Sequence, residues 1–208
     1  MNSVDTARHL ALGDSYTIGE GVAADARWPA QLARSLRERG IAIGDPEIIA
    51  QTGWTTDELS AAIDAHTFAL PYALVTLLIG VNNQYRGRSL ENYREEFAAL
   101  LARAIAFADG RADRVIVVSI PDWGVTRFAR AQSRDSARVG AEIDAFNEAA
   151  RKIATASGVA FVDVTAASRE AGDRDAMLVG DGLHPSAAQY AMWTDAIMPV
   201  AATLLARA

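Results

Sequence analysis

His9-Leu10-Ala11-Leu12-Gly13-Asp14-Ser15-Tyr16 runs from an apolar stretch directly into a polar turn. The apolar residues read as a short buried strand, and the turn behind it delivers Ser15 to the carboxyl end of a sheet, the edge where open α/β sheets carry their chemistry. Similar runs recur at 47–50, 74–79, 114–120 and 159–164, which with 10–12 makes about five strands. Between them, 29–39, 56–65, 90–108 and 136–157 hold apolar residues at helical spacing, and 187–206 closes the chain in the same way. Strand and helix alternate throughout. That order predicts an α/β fold, a three-layer α/β/α sandwich with a mainly parallel sheet and right-handed crossovers.

Local signals mark the boundaries. Pro29 suits a first helical turn, Asp57 and Glu58 lie where a helix N-terminus favours anions, and Gly158 stops a helix before the last strand. Leu100, Leu101, Ile105, Ile143, Phe146 and Ile153 are expected in the core. Residues 121–135, opening Pro121-Asp122-Trp123-Gly124, read as a long loop after the fourth strand, where loops commonly shape a substrate site.

The 208 residues are 50% hydrophobic and 22% charged, enough for one well-buried core, and no break in composition divides them. A single domain over 1–208 is expected. The chain has no cysteine, which excludes disulfide scaffolding, thiolate catalysis and cysteine-ligated zinc. The formal net charge is −6, and Lys and Arg are scattered among acids, so nucleic acid is not expected as a partner. No apolar run approaches membrane-spanning length, so no integral membrane association is expected. Met1 to Arg8 lacks the basic flank and apolar stretch of a secretory leader, which makes a cytoplasmic location the expectation.

A serine hydroxyl attacks efficiently only with a base in hydrogen-bond reach, itself oriented by a third group. Of three histidines, His9 falls in the first strand as a structural residue and His66 ends a helix facing solvent. His184 is the candidate base. It stands in Asp181-Gly182-Leu183-His184-Pro185, where Asp181 can reach its other ring nitrogen and Pro185 fixes its backbone at the mouth of the last helix. Taken singly, Asp181-Gly182 is equally an ordinary turn with His184 at the surface, and Gly13-Asp14-Ser15 equally a capped turn. Two further segments end strands: Gln51-Thr52-Gly53-Trp54 and Gly80-Val81-Asn82-Asn83-Gln84. Gly53 lets a backbone N–H approach closely and Asn82 donates without charge, as an oxyanion site requires.

These four blocks, in this order, resemble the SGNH (GDSL-type) hydrolases across nearly the whole domain. The resemblance implies a flavodoxin-like fold and an ester hydrolase with Ser15 as nucleophile and Asp181 and His184 completing a triad. It also implies an oxyanion hole formed by the backbone N–H groups of Ser15 and Gly53 and the Asn82 side chain. Two positions depart from the family pattern: Tyr16 stands where leucine is common, and Asn83 where an aspartate often follows the asparagine. Both are expected to lie away from the catalytic atoms. Trp28, Trp54, Asn83, Tyr85, Trp123 and Phe128 are placed by the loops around Ser15, and of these Trp54, Asn83, Tyr85 and Trp123 are the expected substrate-lining residues. Arg86 and Arg88 read as solvated loop charges.

Gly-x-Ser-x-Gly, Gly-x-Gly-x-x-Gly, the phosphate-binding P-loop pattern and His-Glu-x-x-His are all missing. Nothing in the motifs asks for a metal or an organic cofactor. A small-molecule ester is the expected substrate, with a short-chain carboxylester favoured over a lysophospholipid, a thioester or an acetylated carbohydrate. A carbohydrate- or lipid-binding module without turnover, built on the same scaffold, is the alternative from another class.

Overall fold

The computed structural model describes residues 6–206. Five parallel strands, β1 (His9–Gly13), β2 (Glu47–Ala50), β3 (Leu74–Leu78), β4 (Val115–Val118) and β5 (Ala160–Val162), form one sheet in the order β2-β1-β3-β4-β5. The helices among the described residues are α1 (Ser15–Ile18), α2 (Trp28–Glu38), α3 (Thr56–Asp64), α4 (Val81–Tyr85), α5 (Leu90–Phe107), α6 (Arg127–Ala131), α7 (Ser136–Ala156), α8 (Thr165–Ala171) and α9 (Ala187–Leu205). The chain leaves β1 in one direction to reach β2 and returns past it to β3. Right-handed crossovers of opposite direction put their helices on opposite faces, which makes the three layers. Accordingly α2 packs on α9 in one helical layer, and α5 packs on both α3 and α7 in the other.

The sequence of the strands explains their place. Leu10 to Leu12, Leu74 to Leu78 and Val115 to Val118 are buried along their whole length, with Thr76 the one polar side chain among them. Strands covered by helices on both faces need such continuous apolar runs. Gly13 ends β1 beside Leu78, and a Cβ there would come within 2.2 Å of the Thr17 hydroxyl oxygen and 2.5 Å of the Leu78 carbonyl. Only glycine lets α1 turn back this tightly onto the strand ends. Leu100, Leu101, Ile143 and Phe146 are buried as expected, while Ile105 and Ile153 are half-buried at the margin of the core.

Residues 121–135 are not the expected loop. Asp122 caps a 3₁₀ turn, Trp123–Val125, through its carboxylate and the Gly124 N–H at 2.8 Å, and Thr126 caps α6. Single-turn helices made by local side-chain caps leave no apolar periodicity to read. No helix among the described residues is long and apolar enough to cross a membrane.

Candidate active site

The strand order reverses between β1 and β3, and the loops leaving these strands diverge there. Such a switch point is where open α/β sheets form a crevice. Here it holds a cavity of about 170 Å³ whose wall includes Ser15, Gly53, Asn82 and His184. Four segments far apart in the sequence therefore meet at one space.

Ser15 opens α1 one residue after Asp14, whose Oδ1 accepts the Tyr16 N–H at 3.0 Å. Asp14 is wholly buried, and burial pushes its carboxyl up to about 7 against the pull of backbone hydrogen bonds. Its Oδ2 has no partner among the described residues. His184 arrives on a loop held by a short antiparallel pairing, with Val179 N–H donating to the His184 carbonyl at 2.9 Å and Ser186 N–H to Met177 at 2.8 Å. Asp181 organises this loop from inside. Its Oδ1 accepts the Leu183 and His184 N–H groups at 2.8 and 3.0 Å, and its Oδ2 meets His184 Nδ1 at 2.6 Å.

An ionised carboxylate only accepts, so Nδ1 carries the imidazole proton and Nε2 keeps its lone pair. Burial raises the Asp181 carboxyl, but hydrogen bonds from the His184 ring and the two backbone N–H groups outweigh it and hold the group below its usual value. Asp181 stays ionised at neutral pH.

Asn82 donates one Nδ2 hydrogen to the Trp54 carbonyl at 2.9 Å. This fixes the amide plane and leaves a second N–H for a ligand. Gly53 has φ +90, a conformation other residues rarely adopt, and a Cβ there would meet only the Arg86 tip at 3.8 Å. Backbone conformation and not space demands the glycine. Arg86 Nη2 donates to the Gly53 carbonyl at 2.6 Å and Nη1 to Glu58 at 3.3 Å, so this side chain orients the peptide that follows Gly53. Arg88 pairs with Asp57 at 2.6 Å. Neither arginine is a bare loop charge, and only the fold that brings α3 beside α4 could reveal it.

The expected lining residues divide. Tyr85 and Trp123 are on the cavity wall with Phe128, their rings meeting edge to face at 5.3 Å for Tyr85 and Trp123 and 6.3 Å for Trp123 and Phe128. Trp123 Nε1 is tied to Gln84 at 2.8 Å, and Gln84 in turn donates to Glu142 at 2.7 Å, which stiffens the wall. Trp54 and Asn83 do not line this cavity. Trp54 packs half-buried against the core and contributes its carbonyl. Asn83 is wholly buried, accepting from Thr56 N–H at 3.1 Å and donating to the Thr56 hydroxyl at 2.6 Å. Trp28 is also wholly buried.

Tyr16 corrects another expectation, since it does lie beside the candidate base. Its ring is on the cavity wall, 5.7 Å from the His184 ring and 6.0 Å from Trp193 of α9. The larger ring reaches across from α1 to the start of α9. His9 is a buried structural residue bonded to Thr76 at 3.1 Å, and His66 is an exposed partner of Glu47 at 2.7 Å. Thr52, Val81 and Leu183 complete the wall and had no sequence signal apart from their neighbours in the four blocks.

With this geometry in place, the family description of GDSL-like lipase/acylhydrolase matches residues 11–192. The chain belongs to that family. By membership it is an ester hydrolase of the GDSL type. The fold agrees with solved structures at low identity. A structure described as TesA is 20% identical with a TM-score of 0.74, covering 95% of this chain and 99% of that one. A lipase/acylhydrolase from Enterococcus faecalis is 19% identical with a TM-score of 0.73, covering 97% and 96%. The acetylxylan esterase Axe2 from Geobacillus stearothermophilus is 19% identical with a TM-score of 0.70, covering 94% of each chain. No curated protein matches the chain.

Proposed function

We propose that this GDSL-type hydrolase cleaves short-chain carboxylic esters through a Ser15-His184-Asp181 triad. The observation that carries the reading is the meeting of Ser15, Gly53, Asn82 and His184 at one cavity, with His184 Nδ1 held by Asp181 at 2.6 Å. Ser15 Oγ attacks the ester carbonyl while His184 Nε2 takes its proton. The oxyanion of the tetrahedral intermediate is met by the Ser15 and Gly53 N–H groups and by the free N–H of Asn82. His184 then gives its proton to the departing alcohol, leaving an acyl group on Ser15. Water enters, loses a proton to His184 and attacks the acyl carbonyl, after which the acid leaves and Ser15 recovers its proton. Asp181 holds the tautomer and stabilises the imidazolium in both halves.

Cavity size supports a small acyl group. At about 170 Å³, the space is well below the roughly 300–1,000 Å³ of pockets that enclose drug-sized ligands. Its aromatic wall of Tyr85, Trp123 and Phe128 offers an apolar surface, and among the described residues no Lys or Arg lines it.

A fluorophosphonate probe followed by peptide mass spectrometry tests the triad. Labelling at Ser15 is expected in the parent protein and is lost in His184→Ala, and Ser15→Ala folds but does not turn over aryl esters. Normal turnover by Ser15→Ala would sink the assignment. A chain-length series of aryl esters beside an acetylated sugar tests the substrate, and hydrolysis confined to the sugar would move it to a carbohydrate O-deacetylase.

A further inference from the structure

At the opposite edge of the sheet, by the amino ends of β1, β3 and β4, the surface opens into a bowl of about 660 Å³. Arg8 lines it from the residue before β1, Pro71 and Tyr72 from the approach to β3, Asp109 and Arg111 from the turn after α5, and Arg114 from the residue before β4. Three arginines from two chain segments thus line one space on a protein of net charge −6.

Their partners differ. Arg111 is neutralised, donating to both Asp113 oxygens at 3.1 and 2.7 Å. Among the described residues Arg8 makes one side-chain hydrogen bond, to the Pro71 carbonyl at 2.9 Å, and lies over the Tyr72 ring at 5.5 Å. Arg114 is only 9% exposed, donates once, to the Ala73 carbonyl at 3.2 Å, and has no acceptor for its Nε among the described residues. Among the described residues the carboxylates nearby are Asp109 on the wall and Asp113, which Arg111 holds and Arg114 also influences. Neither forms an ion pair with Arg8 or Arg114 among the described residues. Glu47 is occupied by the Tyr72 hydroxyl at 2.5 Å and by His66.

A nearly buried guanidinium whose Nε lacks an acceptor is costly unless nearby negative charge compensates it. A single carboxylate satisfies one fork. A phosphate group, with close to two charges and three acceptor oxygens, satisfies two at once. We propose that this bowl is a binding site for a small phosphorylated molecule, its phosphate held between Arg8 and Arg114. The volume exceeds what one inorganic ion fills, and the buried Tyr72 ring beneath Arg8 braces that guanidinium at the wall. The site is separate from the proposed ester chemistry and does not depend on it.

Isothermal titration of the parent protein at fixed ionic strength with inorganic phosphate, glycerol phosphate and acetate tests this. Saturable one-to-one binding of the phosphate compounds is expected, with acetate much weaker, and the tighter of the two phosphates tells whether ester or free ion is the better ligand. Arg8→Gln, an exposed change, should weaken binding by about tenfold or more. Arg114→Gln should do the same if circular dichroism shows it folded, and Arg151→Gln, on the far side of α7, should bind as the parent does. Absence of saturable phosphate binding, acetate binding as tight as phosphate, or equal weakening by Arg151→Gln would overturn the proposal.

Discussion

Two buried ionisable residues at opposite ends of β1 load the fold in opposite senses. His9 is held by burial at about 3, against 6.5 for the free side chain, and Asp14 is raised by burial to about 7 from 3.8. Between pH 3 and 6.5 the unfolded chain binds the His9 proton and the folded one does not, so stability from this residue is lost as pH falls through that window. For Asp14 the folded state keeps a proton the unfolded state has released, so its contribution is full below 3.8 and is lost as pH rises to 7. Over the shared window the contributions of these two residues offset each other. Asp14→Asn keeps an acceptor for the Tyr16 N–H and removes the charge; it should be more stable than the parent at pH 8, by up to about 4 kcal/mol, and equal to it near pH 4. His9→Gln should show the reverse slope, losing stability from pH 4 to 7. Parallel profiles for the two variants would contradict these assignments. His9 was legible as structural from its place in an apolar run, but the charge state of Asp14 was not, because Gly-Asp-Ser reads the same whether the acid faces solvent or core.

At the scale of elements, the departure at Asn83 has a physical cause in where three helices meet. Asn83 of α4 donates to the Thr56 hydroxyl at the start of α3, and that hydroxyl donates in turn to Glu96 of α5. An aspartate at 83 would need the same hydroxyl hydrogen that Glu96 takes, leaving one buried acceptor unmet. Asn83→Asp should therefore cost about 1–3 kcal/mol, and Glu96→Gln, by returning a donor, should recover part of that loss in the double variant. Strictly additive costs, measured by urea unfolding, would refute the chain of bonds. The long helices and all five strands were readable because their apolar faces repeat. The short ones were not: α8 (Thr165–Ala171) is set by Asp163, two residues earlier, accepting its first N–H at 2.7 Å and by Ser119, distant in sequence, bonded to Thr165 at 2.9 Å. Likewise α6 is fixed by Phe128 N–H on the Gly182 carbonyl at 3.1 Å and by ion pairs from Arg127 to Asp175 and Arg130 to Asp173. The residue types at the candidate site were visible in the four blocks; the direction of Trp54, Asn83 and Tyr16 depended on neighbours that only tertiary packing supplies.

Across the whole molecule, the parallel sheet separates two kinds of surface. Every strand points its carboxyl end toward the apolar cavity beside Ser15, and the amino ends of β1, β3 and β4 meet the arginine bowl. The five residues of β3 set the distance between these edges at about 16 Å. That exceeds the roughly 7–10 Å within which perturbations commonly couple. The strands between them, β1, β3 and β4, are buried along their length. A covalent phosphonate on Ser15 and a phosphate compound in the bowl should each raise the unfolding free energy, and together they should add to within about 0.5 kcal/mol. Hydrogen exchange should localise the two effects, the phosphonate slowing amides at 51–54 and 181–186, the phosphate those at 6–8, 71–73 and 109–114. If the combined gain departs from the sum by more than that, the sheet transmits a signal from one edge to the other, and phosphate would then change the affinity of a reversible ligand at the Ser15 cavity by the same factor as that ligand changes the affinity for phosphate.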